Sequence, residues 1–341
     1  MSNAGKIISI NPGYAIPGGE IFIETEGFRL DASGLNSCVI GGQIAWITAA
    51  SQHRVVAIVP ETVGTTAEVF LESGGKRSNV VEITVGKQLA TDLHIVANPA
   101  IDPKDGSIIV TRSGSRGQQV EFSMFRLEGD GFVDQMPTEI TNPTGLAFDR
   151  NGELFVTNRF DGQVCRIDKD EEAVVFSTNL GIATGIAFGK DGAMYVGDRS
   201  GTIFRVSDMG TPETFAVLEP SVSAYHLAFG PDGRLFVTAP GLASYDAVHV
   251  IDYTGFDEKY FRGFGRPQGL AFDTSGNLYV ASCYAGRHGI VRISRNGLDA
   301  ETFVAGNNIV GLCFTRDGDM IVATNDSVYS IPAGIEGTLL D

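Results

Sequence analysis

The chain has 341 residues, 43% of them hydrophobic and 43 of them glycine, a composition that suits a turn-rich all-β protein with ample core. Its formal net charge of −16 argues against a nucleic-acid partner, whose affinity rests on Lys and Arg displacing counterions, and against an anionic membrane surface on the same ground. No stretch approaches the roughly 20 apolar residues of a spanning helix, and no basic segment followed by an apolar one opens the chain, so it is expected to be cytoplasmic as given, or secreted or periplasmic where a leader has been removed.

In chain order, Ile8 to Phe28 reads as a strand, a Pro/Gly turn and a second strand in which Ile21 and Ile23 alternate with Glu20, Phe22 and Glu24. That alternation predicts a half-buried sheet. Further strands are expected at 37–40, 43–48, 54–59, 66–72 and 79–85, separated by Gly-Gly, Pro-Glu and Gly-Gly-Lys turns. About seven short strands in so short a segment predict an Ig-like β-sandwich. The I-x-P-x-x-x-x-P-G-G-x-x-x-x-I-x-x-x-x-F pattern, Gly41-Gly42, V-x-x-I-V-P at Val55 to Pro60 and the closing S-N-V-V-E-I-T-V resemble an IPT/TIG domain over residues 1–86. That resemblance implies a spacer or interaction module, in some members a homodimerising one, without catalytic residues.

From residue 87 onward the chain repeats itself. N-P-T-G-L-A-F-D-R-N-G-E-L-F-V-T-N, from Asn142, returns in close copies from Ile182, Ser223, Arg266 and Asn308, with turn glycines at Gly152, Gly192, Gly233, Gly276 and Gly318 spaced by 40, 41, 43 and 42 residues. A degenerate copy begins at Ala97. Each copy reads as two apolar strands joined by a tight polar turn whose glycine supplies positive φ. Both strands are nearly continuously apolar, as expected where neighbouring sheets cover both faces. Third strands follow at 164–167, 203–206, 248–251, 290–293 and 328–331, and fourth strands at 173–177 and 302–304. A period near 42 over residues 87–341 predicts a six-bladed β-propeller, closed by either Lys87 to Leu93 or Gly337 to Leu340. The P-x-G-[LI]-A-F-x-x-x-G-x-[LM]-[FY]-V units resemble NHL repeats and, more loosely, SMP-30/gluconolactonase and strictosidine-synthase-like propellers.

Inner strands start, and second strands end, on one face around the channel mouth, where closed β architectures bind ligands. The expected binding residues there are Arg112, Arg159, Arg199, Tyr225, His226 and Gln268. Three arginines on consecutive blades would clamp a carboxylate or phosphate, unless each pairs with a nearby carboxylate such as Asp161 or Asp198. His226 stands where the other close copies carry glycine and offers a titratable ring, as a hydrogen-bonding group or a base. Tyr245, Tyr284, Arg287 and His288, on longer loops, would form a recognition rim.

The leading expectation is a non-enzymatic, cofactor-free binding or accessory protein, presenting this face to a protein partner or a small anion; the resemblance of the two parts to an IPT/TIG domain and an NHL-like propeller implies an accessory component of a larger bacterial assembly, redox complexes included. The alternative is a metal-dependent lactonase. The gluconolactonase resemblance implies a divalent cation, calcium or zinc, held by Glu, Asn and Asp; Asn158 and Asp198 would supply two ligands, with His226 as base, but Asn98-Pro99 stands where the glutamate belongs. The D-R-N-G, K-D-G and P-D-G turns lack the rest of a calcium loop and read as hairpin turns. Four cysteines without C-x-x-C spacing, Cys38, Cys165, Cys283 and Cys313, read as free thiols.

Overall fold

The structure, a computed structural model, describes residues 5–29, 36–61, 64–114, 118–129, 131–242 and 245–338. All its regular elements are strands apart from short turns. The repeat beginning at Asn142 folds into Pro143–Phe148, Leu154–Asn158, Gln163–Ile167 and Ala173–Ser177, each antiparallel to the one before. All five residues of its second strand are buried, which accounts for the unbroken apolar run. At the hairpin, Asp149 Oδ1 accepts the amides of Asn151 and Glu153 at 2.9 and 2.8 Å, while Gly152, at φ 73°, donates its amide to Asp149 O. The D-R-N-G sequence is therefore a hairpin turn whose aspartate is engaged by its own backbone.

Six such four-stranded units follow one another among the described residues. Blade 6 consists of Ile309–Phe314, Asp319–Thr324 and Val328–Pro332 and takes its outer strand from Lys87–Ala90. Of the two candidate closing segments, the one preceding blade 1 is thus used. Gly337 instead bridges to Asp273 in blade 5, and residues 339–341 lie outside the described residues. Inner strands crowd the axis: a Cβ on Gly145 would stand 2.4 Å from Thr184 O, and one on Gly311 would stand 2.5 Å from the Cα of Asn98. Only glycine fits at such approaches.

The N-terminal strands form two antiparallel runs. Lys6–Asn11 pairs with Glu20–Glu26, then Arg54–Ile58, then Gln43–Ala50. Gln43–Ala50 also pairs with Asn36–Ile40, which continues to Thr66–Ser73 and Val81–Val85. Between them lies a core including Ile21, Ile23, Cys38, Ile40, Val55, Val69 and Leu71, so the predicted alternation is realised with the isoleucines inside.

This layer does not hang from the propeller by a loose linker. Tyr14–Ala15 lies parallel to Val81–Val85 on one side and to Ala300–Ala305, the outer strand of blade 5, on the other. Ile16 packs into a propeller core and Ala305 into the N-terminal core, and the Tyr14 ring stacks on Phe303 at 4.8 Å. Arg287 lies 3.8 Å over Phe22 and donates to Asn11 Oδ1 at 2.8 Å. A residue expected on the recognition rim is thus engaged in joining the two layers. All four cysteines are free, and burial pushes the Cys38 and Cys165 thiols up to about 12 and about 11.

Candidate ligand-binding face

The register fixes what meets at the mouth. Thr111 and Thr157, near the ends of the second strands of blades 1 and 2, each donate a hydroxyl to the next inner strand, to Thr144 O at 3.0 Å and Thr184 O at 2.8 Å. The following residues, Arg112 and Asn158, are therefore equivalent, and Arg159 and Arg199 stand one position further on. The three arginines share a face without sharing a position.

The acidic and amide oxygens here hold the loops. Asn158 Oδ1 accepts the amides of Phe160 and Asp161 at 3.1 and 3.3 Å, and its Nδ2 donates to Asp161 at 2.8 Å. Asp198, 4% exposed, accepts the amides of Ile182 at 2.7 Å and Ser200 at 3.1 Å and the Ser200 hydroxyl. Asp246 likewise receives the amides of Gly241 and Arg266. A hard cation requires several convergent free oxygens. Those of Asn158 and Asp198 are turned to backbone amides and the Ser200 hydroxyl, so the pair does not fit the cation of the lactonase reading. Asn98, at the missing glutamate's place, bridges blades: Nδ2 donates to Leu270 O and Oδ1 accepts the Leu312 amide, both at 3.0 Å.

The guanidinium groups are in the opposite condition. Arg159 is half-buried and donates to Gly114 O at 3.4 Å. Burial, and then the nearby Arg199 charge, lower its pKa from the ordinary arginine value. Arg199 donates Nε to Ser221 O at 3.1 Å and Nη2 to Val222 O at 2.8 Å. Among the described residues, neither these two nor Arg112 forms an ion pair, not with Asp161 or Asp198 or any other carboxylate. By contrast, the third-strand arginines do: Arg126 with Asp102, Arg166 with Glu153, Arg205 with Asp191 and Arg292 with Glu301.

The remaining predicted residues are placed differently. Tyr225 is fully buried in a propeller core, with its hydroxyl on Glu219 O and its pKa raised by burial. Its ring is enclosed and its hydroxyl is already engaged, so it presents nothing to a ligand. His226 is 4% exposed, its Nε2 has no hydrogen-bond partner among the described residues, and burial lowers its pKa to about 4. The Gln268 carbonyl takes the Thr238 hydroxyl, and its side chain is partly exposed. Reading the sequence for polar chemistry passed over Phe160, Ile182, Val222 and Leu242, apolar loop residues exposed on this face. Apolar side chains inside turn segments were the available signal.

No family model matches the chain and no curated protein matches it. Solved structures do resemble it. An auxiliary nutrient binding protein from Bacteroides thetaiotaomicron matches 97% of this chain and 98% of its own with a TM-score of 0.56 at 12% identity. Its namesake from Bacteroides ovatus matches the same shares at 0.55 and 13%. A putative gluconolactonase matches 74% of this chain and 93% of its own at 0.59 and 18%. Likeness at these identities establishes the fold alone: an all-β chain built on a six-bladed propeller like those of the structures it resembles.

Proposed function

We propose that this is a non-enzymatic binding protein whose propeller mouth accepts an anionic group through Arg159 and Arg199, with Arg112 alongside, carried on an Ig-like, IPT/TIG-like N-terminal module. One observation carries the reading: the mouth carboxylates Asp198 and Asp246 are engaged by backbone amides, while the mouth guanidinium groups have no carboxylate partner among the described residues, although the chain bears a net charge of −16. Two like charges held close without a counterion are relieved by an arriving anion, and charge-assisted hydrogen bonds supply the affinity. The nutrient-binding names of the full-length structural matches support a ligand-binding role. Against the lactonase reading, the Asn158 and Asp198 oxygens are taken up by hydrogen bonds within their loops.

The test is calorimetric titration of the full chain at low salt with a panel of organic carboxylates and phosphate esters. The same titrations follow on the Arg159→Ala/Arg199→Ala double variant. Losing charge-assisted contacts of about 1.5–3 kcal/mol each weakens the best binder by at least tenfold. An unchanged affinity in the double variant overturns the reading.

A further inference from the structure

The two uncompensated arginines sit within a run of exposed apolar side chains. Phe160 is 57% exposed, Ile182 41%, Val222 38%, Leu242 97% and Tyr245 69%. All five stand on mouth-side loops of three consecutive blades. Phe160 directly follows Arg159. The Ile182 carbonyl receives the Arg199 amide, and the Val222 carbonyl receives the Arg199 side chain.

These loops are fastened to one another. Val222 donates its amide, and Ser221 its hydroxyl, to Pro240 O in the blade 4 loop that carries Leu242 and Tyr245. Gly241 in that same loop is held by Asp246 at 3.0 Å. These bonds hold the backbone of neighbouring loops together, so that apolar groups and cations lie side by side and the ordering a partner must impose is confined largely to side chains. Aromatic, aliphatic and arginine side chains together are the composition of the centre of a protein interface.

We infer that this arc over blades 2 to 4 is the docking surface for an extended polypeptide segment carrying an acidic side chain between apolar ones. The inference rests on the anion-accepting mouth proposed above and names its occupant. Charge complementarity supplies the acidic element, because an Asp or Glu reaching Arg159 and Arg199 meets guanidinium groups that no carboxylate among the described residues already neutralises. The distribution of the apolar groups supplies the rest. Small-molecule sites enclose most of their ligand in a concavity, whereas these side chains stand out from four separate loops, and a chain laid along them covers several at once.

The test pans a phage-displayed random 12-residue peptide library on the full-length protein. Selected peptides are then synthesised and their affinity measured by fluorescence anisotropy. The proteins compared are wild type, Arg159→Ala/Arg199→Ala and Phe160→Ser/Leu242→Ser/Tyr245→Ser, whose substituted residues are exposed or partly buried and whose folding is checked by circular dichroism. The expected consensus places Asp or Glu within two residues of Leu, Ile, Phe or Trp, and each variant weakens binding at least tenfold. Peptides without an acidic residue, or affinity indifferent to the apolar variant, overturn the inference. Self-association of the wild-type chain in light scattering, abolished by the apolar variant, overturns it in favour of a second copy. If small carboxylates bind through the arginines but no peptide is selected, the anion-accepting mouth stands and the polypeptide occupant falls. If neither binds, both fall.

Discussion

Replacing His226 with Asn tests whether the imidazole is held neutral by burial. Blade 1 carries Asn98 at the equivalent place in its inner strand, so the substitution introduces a side chain the ring already accommodates elsewhere. His226 has an ordinary value of 6.5 lowered to about 4, with burial as the cause. A depressed histidine pKa means that the fold favours the neutral ring. The stability it confers is complete above pH 6.5 and is lost as pH falls from 6.5 through about 4. The whole loss is about 3 kcal/mol, from about 1.4 kcal/mol for each pH unit of displacement. Between pH 7.5 and 5.0, linkage assigns about 2 kcal/mol of it.

Urea unfolding at these two pH values, followed by far-ultraviolet circular dichroism, provides the assay. The other four histidines, His53, His94, His249 and His288, are present in both proteins and cancel in the comparison. Wild type should therefore lose about 2 kcal/mol more than His226→Asn between pH 7.5 and 5.0. Equal losses would refute the reasoning, whatever the variant's absolute stability at neutral pH.

Three further outcomes are expected. Asn98→Ala leaves the Leu312 amide and the Leu270 carbonyl without their partner; at about 1–3 kcal/mol for each buried orphan, urea unfolding should register a loss of several kcal/mol, and a loss below about 1 kcal/mol would contradict the bridging role. Gly311→Ala forces a Cβ to 2.5 Å from the Cα of Asn98, whereas Gly13, whose Cβ would meet nothing within 4 Å, supplies the control: the first substitution should destabilise by at least about 2 kcal/mol and the second should be tolerated. Arg287→Ala removes the hydrogen bond to Asn11 and the stacking on Phe22; at about 1–2 kcal/mol together, the change should speed amide exchange in Glu20–Glu26, and unaltered exchange would show that other contacts fasten the layers.

Much of the architecture was legible because one physical demand recurs in every repeat. A hairpin at the inner edge of a blade needs a positive-φ turn, supplied by Gly152 and its counterparts, and two buried strands, supplied by runs such as Leu154–Asn158. Long-range pairing was not legible. Tyr14–Ala15 is too short to carry a period, and its partner Val304–Ala305 lies far along the chain. The burial of Tyr225 was equally hidden, because it stands just ahead of a strand buried on both faces, where alternation does not mark which side chains are exposed. The arginines posed a third difficulty. Proximity in sequence suggested carboxylate partners, but Asp198 accepts backbone amides and Arg199 donates to carbonyls, and such choices depend on loop conformation.

The repeats also provide an internal comparison that a single site cannot. Arg126, Arg166, Arg205 and Arg292 stand on third strands and each meets an acidic partner, so arginine recurs there with its compensating charge. The exposed ones, such as Arg166 with Glu153, add little stability individually, but all of them leave no charge free to attract a ligand. At the mouth, Arg159 and Arg199 occur on two blades, while Pro240, Cys283 and Asn325 occupy the corresponding places on blades 4, 5 and 6. Closing the ring therefore does not require arginine there. In a chain of net charge −16, the distant field repels anions but is screened beyond about 8 Å at physiological salt. An anionic group that reaches contact distance meets the local arginines instead, so recognition at this face depends on the close fit of a partner and not on long-range attraction.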